Sequence, residues 1–221
     1  MKKLELVFLT VTLCSVAAQA TTDLSGKVFS FPQQGSTAHV RLAPLVSKIL
    51  FSTTVCLRFR TDIDNFVLFS MDTPAQTNSY AFFRIEGQVY HFWASGSMDD
   101  FYGLPNNLNK WNSICATWDA GTGMAQLIIN EIHSLKKTIS PGGSISGPPI
   151  IILGQDQDSY GGGFDASQSF IGQIRDVHMW DHVISTCEIK SYMQGFVHRP
   201  GNYLNWARMD FSIHEYAGRG F

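Results

Sequence analysis

Apolar side chains recur along this chain in short bursts from Val28 onward: VFSF (28–31), AHVRL (38–42), TVCLRF (54–59), FVLFSM (66–71), YAFFRI (80–85), VYHFWA (89–94), ICATW (114–118), AQLIIN (125–130), PIIIL (149–153) and FIGQIRDVHMW (170–180). Alternation with a period of two puts apolar groups on one face of a strand, and short continuous runs suit strands buried on both faces. Between the bursts stand Glu86-Gly87, Gly121-Thr122-Gly123, Asn130-Glu131 and SPGGSISGPP, all turn or loop chemistry. The pattern predicts an all-β sandwich or jelly roll, with no linker, heptad or repeat to divide it.

One segment departs from this rhythm. Ser185-Thr186-Cys187-Glu188 has the spacing of a capping box, and Ile189, Tyr192, Met193 and Phe196 then follow at i, i+3, i+4 and i+7, with Gly195 near the end. That spacing predicts one short α-helix. At about 100° per residue Cys187 points away from the apolar stripe, so its thiol is expected to be exposed.

The first twenty residues, MKKLELVFLTVTLCSVAAQA, combine Lys2 and Lys3, an apolar run from Leu6 to Val16 and a small-residue end at Ala18-Gln19-Ala20. This is a secretory leader, expected to be cut after Ala20 to leave one domain over 21–221. No later stretch of about 18 apolar residues predicts a membrane-spanning helix. Removing Lys2, Lys3 and Glu5 from the 16 basic and 18 acidic residues leaves 14 and 17, a net charge of −3 scattered along the chain, which excludes a nucleic-acid-binding composition. The protein is expected to be secreted and extracellular.

Cys14 leaves with the leader, so three cysteines remain in an oxidising compartment: Cys56, Cys115 and Cys187. One disulfide and one leftover thiol is the simplest arrangement. Cys56 and Cys115 both lie in strand-like runs, and a bond between them would close a loop of roughly 60 residues, about 4 kcal/mol in the chain-entropy model. Cys187 is then either free or joined to another chain.

The stretch GQDQDSYGGGFDASQ (154–168) carries the candidate chemistry. An EF-hand fails there, because Tyr160 and Ser167 occupy the fifth and twelfth positions, where oxygen donors are needed. A retaining glycosidase needs two carboxylates about 5 Å apart. Asp176 and Asp181 are spaced so as to point to opposite faces of a strand, and Asp156 with Asp158 lies in a glycine-rich loop that supports an acid/base pair poorly. No catalytic residue is therefore predicted. His178 and His182 have the i, i+4 spacing of a zinc pair, but on a strand these positions lie about 13 Å apart. Asp156, Asp158, Asp165 and Gln168 suit Ca²⁺, which accepts carboxylate, amide and main-chain oxygens in irregular geometry.

ILGQDQDSYGGGFDASQSFIGQIRDVHMWD (152–181) closely resembles the pentraxin family, and TVCLRF around Cys56, Cys115-Ala116-Thr117-Trp118 and YLNW (203–206) follow in the family's order. Ser113 and Ala120 depart from the family's usual residues. The resemblance implies a two-sheet antiparallel jelly roll, a lectin-like β-sandwich with one short α-helix, assembled as a homopentamer. It implies a Cys56–Cys115 disulfide and two Ca²⁺ per subunit. Asp156 and Asp158 would bridge both ions, Gln157 would offer its main-chain carbonyl, Asn78 would contribute to the first, and Asp165 and Gln168 would hold the second. The family has Asp-Asn where this chain has Thr77-Asn78. One carboxylate is thus missing, and the first ion is expected to bind more weakly.

The family's phosphocholine pocket maps onto Phe83, while an ungapped reading places Trp93 and Met98 at its other two positions. Met98 stands where a carboxylate meets the choline cation, a role that a one-residue shift gives to Asp99 or Asp100. The function implied is calcium-dependent pattern recognition in innate immunity. Expected partners are phosphate- or carboxylate-bearing ligands on microbial or damaged-cell surfaces, and complement. A laminin-G-like interaction module with a structural calcium is the alternative, and a secreted carbohydrate hydrolase the third.

Overall fold

The computed structural model describes residues 21–85, 87–196 and 199–215, and the backbone of 218–220. The expected leader, Glu86 and Phe221 lie outside the described residues. In chain order the strands are β1 (Val28–Phe31), β2 (His39–Ala43), β3 (Ser52–Arg60), β4 (Phe66–Thr73), β5 (Gln76–Ile85), β6 (Val89–Ala94), β7 (Ser97–Phe101) and β8 (Asn112–Asp119). They continue with β9 (Met124–Ile129), β10 (Ile132–His133), β11 (Lys137–Thr138), β12 (Ile150–Leu153), β13 (Gly172–Trp180), β14 (Asp210–His214) and β15 (Gly218–Gly220), with one helix, α1 (Thr186–Met193).

Two antiparallel sheets form. One has eight strands in the order β10-β9-β8-β3-β13-β1-β15, with β11 also on β9, and the other has seven in the order β14-β2-β12-β4-β5-β6-β7. Their inward sides bury Phe29, Phe59, Leu68, Phe69, Tyr80, Phe82, Phe92 and Trp118 in one core. Each such side chain removed from water contributes about 1.5–3 kcal/mol. The expected all-β jelly roll with one short helix is what forms. Sequence reasoning missed β7, β10, β11, β14 and β15, which are short or polar.

The outward side of the eight-stranded sheet is closed by α1. Ser185 caps it, accepting from the Glu188 N–H, while the Glu188 carboxylate accepts from the Ser185 N–H. Ile189, Tyr192 and Met193 pack with Trp180 and Ile184 over Cys56 and Cys115, which stand opposite each other in β3 and β8 and are joined as a disulfide. The bond thus staples neighbouring strands beneath the helix. Phe196 does not share that face: the helix ends at Met193, Gly195 turns the chain at φ 75°, and Phe196 is exposed. Cys187 carries an exposed free thiol.

Asp176 sits at φ 54° beside a register shift in β13, so the alternation expected there is broken. The two carboxylates weighed as an acid/base pair still stay apart. Asp176 pairs with Arg58 and Arg175, whereas Asp181 lies beyond the strand and pairs with Lys48 and His182. His178 is buried and accepts from the Gly201 N–H, while His182 is exposed, so they form no zinc pair.

Candidate functional site

The acidic loop begins where β12 ends. Gly154 turns the chain at φ 87°, and a Cβ there would meet the Phe31 ring at 2.6 Å, so only glycine fits. The loop then folds back over the outward side of the seven-stranded sheet and is pinned there by its amides. The Gln155 side chain donates to the carbonyls of Gly35 (2.7 Å) and Ala38 (3.1 Å), and the Gln155 main-chain carbonyl accepts from the Ser70 hydroxyl (2.8 Å). Gln157 is wholly buried: its amide nitrogen donates to Ser70 Oγ and the Ile150 carbonyl, and its Oε1 accepts from the Gly161 N–H. With that side chain consumed, the main-chain carbonyl is what Gln157 has left for an ion.

Asp156 is 5% exposed, and its Oδ1 accepts only from its own neighbour, the Gln157 N–H at 3.1 Å. Burial pushes its carboxyl up to about 6, and the charge of Asp158 adds to this. Asp158 is exposed, at the start of a tight turn in which Ser159 and Gly162 exchange main-chain hydrogen bonds. Asp165 is exposed and caps the turn Ala166–Gln168, accepting from the Ser167 N–H. Gln168 Oε1 is buried without a partner.

Asp72, a residue that sequence reasoning passed over, joins this group. It lies opposite Ile150 in the β4–β12 pairing and has no exposed surface. Its Oδ1 accepts from the Asn78 N–H at 2.7 Å, while its Oδ2 and the Asn78 side-chain oxygen are both buried without a hydrogen-bond partner. Burial first, and then the charges of Asp156 and Asp158, push the Asp72 carboxyl up to about 6. Buried polar oxygens ordinarily find donors, and a set of orphans facing carboxylates is what a hard cation satisfies. Among the described residues no three acidic, histidine or cysteine side chains are already gathered in chelating geometry. An ion would therefore draw exposed Asp158 toward the buried pair.

Beside this group the outward side of the sheet turns apolar. Val67, Ala81 and Phe83 cluster there, with Ile85 and Trp93 packed against them. Phe83 faces His91, their rings stacked at 5.2 Å, and His91 faces Asp100 with an Nδ1–Oδ1 separation of 3.5 Å. Trp93 lies between Ala81 and exposed Met98. Phe83 and Trp93 are thus outside the inter-sheet core. Of the two carboxylates considered in place of Met98, Asp99 is held by Lys137 at 2.6 Å, and Asp100 is the one in the row with Phe83.

The Pentaxin family model matches residues 27–218. The chain belongs to this family. A guinea-pig (Cavia porcellus) serum amyloid P-component is 37% identical to this pentraxin over 199 residues, covering 89% of this chain and 88% of that protein. The mouse (Mus musculus) mucosal pentraxin is 35% identical over 212 residues, covering 96% and 93%. The heptameric SAP-like pentraxin of Limulus polyphemus superposes with a TM-score of 0.76 at 21% identity, covering 88% of this chain and 93% of that one, which shows the shared fold. No described helix is long and apolar enough to cross a membrane.

Proposed function

We propose that this pentraxin is a secreted, non-enzymatic recognition lectin of innate immunity that captures phosphate- or carboxylate-bearing ligands in the presence of calcium. The observation that carries this reading is the pair of orphaned, buried oxygens at Asp72 Oδ2 and Asn78 Oδ1, with Asp72 close enough to Asp156 and Asp158 for their charges to act on it, on a sheet whose outward side also carries a half-buried Trp93. Two ions per subunit would be held by Asn78, Asp156, the Gln157 carbonyl, Asp158, Asp165 and Gln168. Bound calcium supplies vacant coordination positions for a ligand's anionic oxygens.

The chain's own residues select the rest of the ligand. Phe83 and Trp93 give an apolar wall over buried Ala81, and Asp100 presents a negative charge to an ammonium group. A cation over the Trp93 face would gain about 0.5–2 kcal/mol. Phosphocholine and phosphoethanolamine fit this combination, as do anionic microbial glycans. In a closed homo-oligomer with every site on one face, the gain on a repetitive surface is about 10²–10⁴. Complement is the expected downstream partner.

Retention on phosphocholine or phosphoethanolamine resin in calcium, with release by EDTA, tests the reading. Retention that persists undiminished in EDTA overturns it. Calcium binding without retention on either resin would favour a laminin-G-like interaction module.

A further inference from the structure

The resemblance leaves the first calcium ion short of one carboxylate, because Thr77 stands beside Asn78 in place of an acid. We propose that Asp72 supplies the missing carboxylate, reaching the first ion through Oδ2 from β4 while its Oδ1 holds the turn that presents Asn78. This rests on the calcium reading above and adds a ligand from another strand.

The placement follows from the sheet. In the pairing of β4 with β5 the register shifts between Val67 and Phe69, where Leu68 and Phe69 both enter the core, and again between Met71 and Thr73, around Asp72 itself. Val67 on one side of the shift and Ser70 and Asp72 on the other then share the outward side, which strict alternation from Val67 would deny to Asp72. Ser70 anchors the acidic loop by bonds to Gln155 and Gln157, and Asp72 comes two residues later at the loop's edge. A turn-forming role accounts for Oδ1, which accepts from Asn78 N–H, and leaves Oδ2 buried with nothing to bind. A buried carboxylate without a partner is costly and is relieved either by a proton or by a cation, and a cation satisfies Oδ2 with the charge retained. With Asp72 counted, the four carboxylates of Asp72, Asp156, Asp158 and Asp165 balance two divalent ions.

Calorimetric titration of calcium into chelator-treated, dialysed protein tests this with two variants. Asp72→Asn keeps an oxygen for the Asn78 N–H and loses the charge; two ions are expected in the parent, with one weakened at least about tenfold in the variant and the other unchanged. Thr77→Asp lies on an exposed position and leaves the buried site intact. Because Asp72 already provides the charge, Thr77→Asp should strengthen the first ion less than about threefold. Melting curves in EDTA report the fold, and Asp72→Asn should melt no lower than the parent there, since it removes a buried repulsion. Two ions bound by Asp72→Asn with parental affinity, or a tenfold or greater gain from Thr77→Asp, overturns the role of Asp72 while leaving the calcium reading standing. A parent protein that binds no calcium overturns both.

Discussion

Each sheet of the sandwich carries apolar groups on its outward side, and the two sides end differently. Over the eight-stranded sheet the chain returns as α1 and seals Trp180, Ile128 and the disulfide, with Arg58 bonding the Tyr192 carbonyl and Tyr192 bonding the Asp176 carbonyl. Two buried nitrogens there, Arg58 Nε and Arg175 Nε, make no hydrogen bond, but both face the Asp176 carboxylate as ion pairs at 3.3 and 3.6 Å. Over the seven-stranded sheet the returning segment is a loop that covers Ser70 and Ile150, then stops short, leaving orphaned oxygens at Asp72 and Asn78 and a half-open patch around Trp93. The first side is finished by folding. The second is finished by what it binds, so residues there should matter more for capture than for stability.

The largest expected effect lies on the sealed side. Trp180 is 2% exposed, and Trp180→Ala should cost about 3–5 kcal/mol in denaturant unfolding. Calcium-dependent retention by the molecules that remain folded should be unchanged. Loss of retention in a folded variant would break the division between the two sides.

The second effect is calcium's own. At a free concentration 100 times its dissociation constant, an ion that binds only the folded chain stabilises it by about 2.7 kcal/mol. Chelation should remove that and expose the loop to protease. Gln155 and Gln157 are tied down by side-chain bonds that need no metal, so cleavage should fall between Asp158 and Gly163, where Asp158, Ser159 and Gly161 are exposed. Mass spectrometry of the fragments locates the cut. Equal resistance with and without calcium would contradict the loop's dependence on an ion.

A third, smaller effect is at the patch. Phe83→Ala should weaken retention on phosphocholine about tenfold, equivalent to about 1.4 kcal/mol, and cost less stability than Trp180→Ala. The reverse order would place Phe83 with the structural residues.

How much of this was legible in the sequence follows from what each residue does locally. VYHFWA was legible because alternation and burial agree along it, and TVCLRF because a short run buried on both faces is nearly continuous. The strand SMDDF of β7 was not, because an edge strand with one solvated side has little apolar signal, although Ser95 and Gly96, both at positive φ, are the two-residue turn that announces a hairpin. The loop's donors were legible because calcium ligands cluster within a few residues. Asp72 was not: it closes the apolar run FVLFSM, and which side it faces is decided by a register shift that leaves no mark in the pattern. Asp176 was misread for the same reason, since its strand also shifts register at that point.

The smallest expected effect is a pH dependence at His91, the residue that joins the patch to Asp100. Burial lowers its pKa from the ordinary value, while the carboxylate of Asp100 pulls the other way. Folding therefore favours the neutral ring stacked on Phe83. A group whose folded pKa is depressed contributes stability that is present above its unfolded value of about 6.5 and lost as pH falls through the folded one. Melting temperature should thus decline from pH 7 toward 5 somewhat more steeply in the parent than in His91→Gln. Identical slopes for the parent and His91→Gln would show that the open side carries no such strain, and would leave capture as its only distinguishing property.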